Sequence, residues 1–170
     1  MTAERTDAEL FTEYVAARGP WLRKVAYLLC QDWHRADDLV QTSIIKLYAR
    51  WPRAGEIENI DGYARKIVVN TFLAEQRSPW WRRTTPWHEE PLTQQVAADL
   101  DASLDLAAAL AALPPRQRAA IVLRYYCDLS VEEAASVLSC SPGTIKSQTS
   151  RGIDSLRRKL DVRPVKEQLS

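Results

Sequence analysis

Three clusters of side chains in this sequence have types and spacings that could do chemistry. The first is Thr144, Lys146, Ser147, Arg151 and Arg158. At about 100° per residue, Thr144, Ser147, Arg151 and Arg158 gather on one helix face, with Lys146 on its flank. Small polar groups and an Arg near a helix start suit the DNA major groove, where Arg and Lys pair with guanine edges or phosphates. An ordinary amphipathic helix with a solvated polar face would show the same charges. The second cluster is Arg65, Lys66, Asn70 and Arg77. Lys66, Asn70, Leu73 and Arg77 fall on one helix side, with Arg65 and Val69 at its margin. Such a face can hold single-stranded DNA, the cations tracking phosphate while the amide and apolar groups receive unstacked bases. A solvated basic face reads similarly, and the spacing of Tyr63 fits a core aromatic. The third cluster is Asp38, Gln41, Thr42 and Ile45, an exposed Ile beside a carboxylate and an amide. That pattern has the apolar centre and polar rim of a docking surface, although single surface apolars are common.

The elements that must position the first cluster are legible in detail. A helix starts behind Pro114-Pro115 and carries Ile121, Val122, Leu123, Tyr125 and Tyr126 up to Cys127-Asp128. A second opens at Ser130-Val131-Glu132-Glu133, where Ser130 can cap and Glu133 can reach back. Its apolar face is Ala134, Ala135, Val137 and Leu138. The turn Ser139-Cys140-Ser141 follows, and Ser141-Pro142 starts a third helix with a favoured N-cap and a Pro at its first position. Ile145, Thr149, Ile153, Leu156 and Leu160 form the inward stripe of that helix. A capped short helix, a tight turn and a second capped start together spell a helix-turn-helix.

Upstream, Asp7 to about Ala17 reads as a short helix with Leu10, Phe11, Tyr14 and Val15 inward. Gly19-Pro20 is expected to break it, and Trp21 to Leu29 forms the next, giving an antiparallel pair. A helix from about Asp32 to Trp51 follows, with Val40, Ile44, Leu47, Tyr48 and Trp51 inward. After a loop over 52–58 containing Gly55, a helix from Asn59 to about Gln76 turns Ile60, Tyr63, Ala64, Ile67 and Thr71 to the core. Trp80-Trp81-Arg82-Arg83 could stack on bases and neutralise phosphates, or could close the end of a domain. From Thr84 to Ser103, Pro and acidic residues sit among Thr and Gln without apolar period, which predicts a linker with at most a short helix over 96–100. Leu104 to Leu113 is an Ala-rich helix, and the chain beyond Leu160 is expected to fray.

Composition narrows the classes. An apolar fraction of 46% with only five Gly and long helical periods argues for packed helices over sheet. There is no run of about 18 apolar residues to span a membrane, and Met1-Thr2-Ala3-Glu4-Arg5 leads into no secretory signal. A cytoplasmic protein is expected. Cys30, Cys127 and Cys140 are far apart, and His34 and His88 stand alone, which supports neither a disulfide framework nor a metal site. No Ser/His/Asp set or phosphate-cradling Gly loop appears, so neither catalysis nor a cofactor is expected. The net charge of +1 is unevenly spread: residues 80–113 carry two basic and five acidic side chains, residues 114–163 nine and five. Positive charge thus collects on the helix-turn-helix end.

Leu113-Pro114-Pro115-Arg116-Gln117-Arg118, Leu123-Arg124-Tyr125-Tyr126, Leu129 to Ala135 and Gly143-Thr144-Ile145-Lys146-Ser147 resemble the fourth conserved domain of bacterial sigma factors. Arg35-Ala36-Asp37-Asp38-Leu39-Val40-Gln41 resembles the segment with which that family grips the clamp helices of the largest polymerase subunit. The narrower resemblance is to the extracytoplasmic-function class, which keeps only domains two and four, and to its SigE-like branch through Trp81. Ser139 stands where Gly is usual, Gln148 where Arg is frequent, Thr149 where Leu packs and Thr42 where many members have Glu.

The resemblance implies an all-α fold with two small helical domains, at 1–83 and 104–163, joined by a flexible acidic linker at 84–103, with a tail at 164–170. It implies core RNA polymerase (clamp helices and flap region) and promoter DNA as partners, and in many members an anti-sigma factor. Thr144, Lys146, Ser147, Gln148, Arg151 and Arg158 would read the element near minus thirty-five. Asn59, Tyr63, Arg65, Lys66, Asn70 and Arg77 would melt and read the element near minus ten. Asp37, Asp38, Gln41, Thr42 and Ile45 would bind polymerase, which supplies the chemistry. In the family the linker threads near the active-site channel, where acidic residues could mimic nucleic acid; a plain tether is the other reading. Two weak DNA sites joined in one chain can gain roughly 10²–10⁴ in apparent affinity, which reconciles a near-neutral protein with specific DNA function. Two rivals stand beside it: a helix-turn-helix repressor whose N-terminal helices bind a ligand or dimerise and which holds its operator without polymerase, and a protein-interaction module whose polar helix face is merely solvated.

Overall fold

A computed structural model describes residues 5–52, 57–77 and 104–161. The contacts divide the chain into two compact units, Met1–Arg77 and Ser78–Ser170. Regular structure among the described residues is entirely helical. None of these helices is long and apolar enough to cross a membrane. Trp80 to Arg83, the expected linker at 84–103 and the expected tail at 164–170 lie outside the described residues.

The first unit contains α1 (Asp7–Cys30), α2 (Trp33–Arg50) and α3 (Ile60–Arg77), each packed on the other two. A capping box starts α1: Glu9 N–H donates to Thr6 Oγ1 at 3.3 Å, and Thr6 N–H donates to Glu9 Oε2 at 2.9 Å. The expected break at Gly19-Pro20 does not occur, and α1 runs through Pro20 as one helix. Pro20 withholds one N–H, but Ala16 and Pro20 are exposed, so water can satisfy the orphaned carbonyl. Burial of Leu22, Val25, Ala26, Leu28 and Leu29 beyond the Pro, with Phe11 and Tyr14 against Trp51 before it, holds both halves in one helix.

The α1–α2 corner is two residues long. Gln31 takes a left-handed φ of 52°, and the Asp32 carboxylate accepts from His34 N–H at 2.9 Å and Arg35 N–H at 3.3 Å. Tyr27 stacks on Trp33 with centroids 4.0 Å apart, bracing the corner. Leu39, Val40 and Leu47 of α2 enter the core with Ala64, Val68, Val69 and Phe72 of α3. Four expected orientations are corrected. Leu10, expected inward, is 39% exposed near the start of α1. Tyr48 is 55% exposed and meets Phe11 edge-on, while Leu39 takes the core place. Val69 and Leu73 are buried, because α3 packs against both α1 and α2 and so hides two stripes.

The second unit contains α4 (Leu104–Ala111), α5 (Pro115–Ile121), α6 (Val131–Leu138) and α7 (Pro142–Asp161). Arg118 locks α4 to α5. Its guanidinium is buried and donates to the carbonyls of Leu110 at 2.8 Å, Ala111 at 3.0 Å and Leu113 at 2.8 Å. The Leu110 carbonyl also accepts from Leu113 N–H at 3.1 Å, so Arg118 joins the last turn of α4 to the turn that follows, where a cation meets the negative end of the dipole. After Ile121 the backbone widens into a π-helical turn, Val122–Tyr126, closed by Cys127 N–H on the Val122 carbonyl at 3.0 Å. The capping box of α6 is formed as expected, with Glu133 N–H on Ser130 Oγ at 3.0 Å and Ser130 N–H on Glu133 Oε2 at 2.7 Å. Ser139 ends α6 in the left-handed region at φ 51°, and Thr144 N–H donates to Ser141 Oγ at 3.1 Å to start α7. The helix-turn-helix is therefore α6, a three-residue turn, and α7.

Candidate nucleic-acid and partner interfaces

In α7 the two faces separate as the period requires. Ile145 is fully buried, and Thr149 and Gly152 lie beneath the helix with it. Thr144, Lys146, Ser147, Arg151 and Arg158 are exposed, and Gln148 is partly covered. The Thr144 hydroxyl lies 2.9 Å from Ser141 Oγ, so its side chain also belongs to the cap. Of the inward stripe, Leu160 is exposed at the helix end, beyond the reach of the small core. The Thr149 hydroxyl is buried with no hydrogen-bond partner, a cost that a Leu or Val there would avoid. Gly152 carried no signal in the periodicity, because Gly scores as neither face.

The second cluster does not stay on α3. Tyr63, Lys66, Ile67, Asn70 and Thr71 line a groove of about 560 Å³ whose other wall is Lys46, Ala49 and Arg50 of α2. Lys46 Nζ donates to Thr71 Oγ1 at 3.0 Å and bridges the two walls. Three cations, one aromatic ring and one amide thus surround a trough shaped by two helices. That combination can hold the backbone of an unstacked strand and receive its bases. Lys46 and Arg50 were missed in the sequence, since only the packing of α2 on α3 brings them here. The other candidates lie apart from the groove lining. Asn59 Oδ1 accepts from Gly62 N–H at 2.9 Å and so caps α3. Arg65 faces Trp21, its guanidinium carbon 5.8 Å from the ring centroid, with a buried Nε that has no partner. Arg77 is exposed at the last turn of α3.

The third cluster is an edge of α2. Asp38 and Gln41 are exposed, Thr42 is half-buried, and Ile45 is 71% exposed. Asp37 is engaged differently. Arg23 of α1 holds its carboxylate through two contacts, at 2.5 and 3.3 Å, and stacks over Trp33 at 4.3 Å. Glu75 of α3, unremarked in the sequence, feels the charge of Asp38. Burial lifts its carboxyl above the ordinary 4.5, Lys46 and Arg35 oppose the rise, and Asp38 adds to it.

One unit thus offers a cationic trough beside an apolar-centred edge, and the other offers a helix-turn-helix with a polar reading face. The sigma-70 region 2 family matches residues 14–82, and the sigma-70 region 4 family matches residues 103–156. The RNA polymerase sigma-E factor of Streptomyces avermitilis is 35% identical over 160 residues, covering 90% of this chain and 86% of that one. The extracytoplasmic-function sigma factor SigE of Mycolicibacterium smegmatis is 30% identical over 164 residues, covering 92% of this chain and 63% of that one. Among solved structures, the sigma factor RpoE of Bartonella quintana, in complex with the anti-sigma factor NepR, superposes with a TM-score of 0.69. It is 27% identical and covers 91% of this chain and 98% of that one. CnrH, in complex with the cytosolic domain of CnrY, shares the fold at a TM-score of 0.61 and 22% identity. The chain belongs to the sigma factors of RNA polymerase, in the SigE-like branch of the extracytoplasmic-function class.

Proposed function

We infer that this sigma factor binds core RNA polymerase through the Asp38, Gln41, Thr42 and Ile45 edge of α2 and directs the enzyme to promoters through two DNA surfaces. Asp37 shapes that edge from its pairing with Arg23. The α2–α3 groove takes the melted strand of the element near minus ten, with Lys66 and Asn70 at its centre and Arg65, Arg77 and Asn59 flanking it. Thr144, Lys146, Ser147, Gln148, Arg151 and Arg158 of α7 read the element near minus thirty-five. The division into residues 1–83 and 104–163, with a tether between, assigns one surface to each domain. The protein acts in the cytoplasm and performs no catalysis of its own, since polymerase makes the bonds. The likeness to RpoE, solved with NepR, adds an anti-sigma factor to its partners.

One observation carries the reading. Ile45 and Lys46 are neighbours on α2, yet Ile45 stands out into solvent while Lys46 turns into the groove. A single helix therefore presents a docking edge and a cationic wall at once, which joins polymerase binding to strand capture.

Run-off transcription with purified core polymerase tests it. Arg151→Ala should lower transcription from promoters with an intact upstream element and leave polymerase binding unchanged. Asp38→Ala should weaken polymerase binding. Wild-type transcription from both variants would refute the assigned surfaces.

A further inference from the structure

Gly152 stands near the middle of α7, where Ala would be the better helix former. It is buried, although Arg151 just before it is exposed. A Cβ at Gly152 would overlap Ile121 Cδ1, and would lie 3.2 Å from Ile121 Cγ1 and 3.7 Å from Gln117 Cβ. Ile121 is only 7% exposed and is the last residue of α5 before the π-helical turn, so its side chain has little free space to enter. With Ile145 and Thr149, Gly152 completes a buried stripe at i, i+4 and i+7. At Gly152 the backbone of α7 rests directly on a side chain of α5.

We propose that Gly152 is a positioning residue for upstream-element recognition. Its missing side chain lets α7 seat on Ile121 at the depth that brings Ser147 and Arg151 to base edges. The inference rests on the reading of α7 as the DNA-reading helix. Base-edge contacts carry sequence information and demand placement to about half an ångström, whereas phosphate contacts mainly anchor. A Cβ at 152 would lift the helix and blunt discrimination between sequences more than it would weaken overall binding.

The test measures transcription by reconstituted holoenzyme from promoters with a matched or a scrambled upstream element. Wild type is compared with Gly152→Ala, Ile121→Val, the double variant and Arg151→Ala. Gly152→Ala should lose about tenfold of the preference for the matched element, the scale of one base-edge contact. Ile121→Val removes Cδ1, so the double variant should regain most of that preference, with binding to core polymerase unchanged throughout. An undiminished preference in Gly152→Ala, or no recovery in the double variant, overturns the proposal. So does an equal loss from matched and scrambled promoters, which would mark a general folding role. If Arg151→Ala also leaves the preference intact, the failure lies in the reading of α7 itself.

Discussion

The Tyr14 hydroxyl donates to Asp61 Oδ1 at 2.8 Å, joining the first half of α1 to the first turn of α3. Arg18 reaches the same oxygen at 3.0 Å, so one carboxylate secures two turns of α1. Burial raises the phenol pKa well above its ordinary 10.0, the bond to Asp61 and its charge add to this, and Arg18 and Arg65 oppose it. The folded state thus holds the phenolic proton more tightly than the unfolded chain does. The stabilisation is fully present below pH 10.0 and declines as pH rises beyond it. Tyr14→Phe should cost about 1 kcal/mol at neutral pH, and its gap to wild type should shrink above pH 10.0 in urea denaturation.

Arg118 binds three carbonyls from a site only 8% exposed. Arg118→Met keeps much of the volume but strips the guanidinium donors from the Ala111 and Leu113 carbonyls, while the Leu110 carbonyl keeps its bond from Leu113 N–H. The second unit should lose about 3 kcal/mol, with thermal melting as the readout. Melting of the first unit should not change.

Ser139 takes a left-handed backbone, at φ 51°, that favours Gly. Ser139→Gly should stabilise the helix-turn-helix by about 1 kcal/mol in denaturant titration. Promoter preference should stay the same, since the turn already has this shape.

Lys46 and Arg50 form the α2 wall of the groove. Replacing both with Met should slow open-complex formation by the holoenzyme without weakening its assembly. The dependence of that step on salt should flatten by about 1.4 in the log–log slope, at roughly 0.7 per phosphate on single-stranded DNA.

The features that were legible in the sequence are those written in neighbouring residues. Ser130 with Glu133 and Ser141 with Thr144 form their caps within three positions, so the helix-turn-helix could be read residue by residue. The period of α7 likewise separated Arg151 from Ile145. Gly19-Pro20 misled, because a local break signal was outweighed by the side chains buried beyond it. Val69 and Leu73 misled for a related reason: a period assigns one inward stripe, and α3 has partners on two sides. The groove was illegible because Lys46 and Thr71 are 25 positions apart, and only the packed helices make them neighbours. Gly152 was illegible because its role lies in space it leaves empty.

The two-residue corner at Gln31 and Asp32 has a consequence for how this protein can change over evolution. One residue more or less there would pull Trp33 off Tyr27 and separate the Asp32 carboxylate from His34 and Arg35, while Leu39, Val40 and Leu47 must keep their places in the core. Substitutions along the outer edge can retune what it grips, but the corner itself tolerates no change of length. Insertions and deletions should therefore be purged from this elbow even where its side chains vary freely.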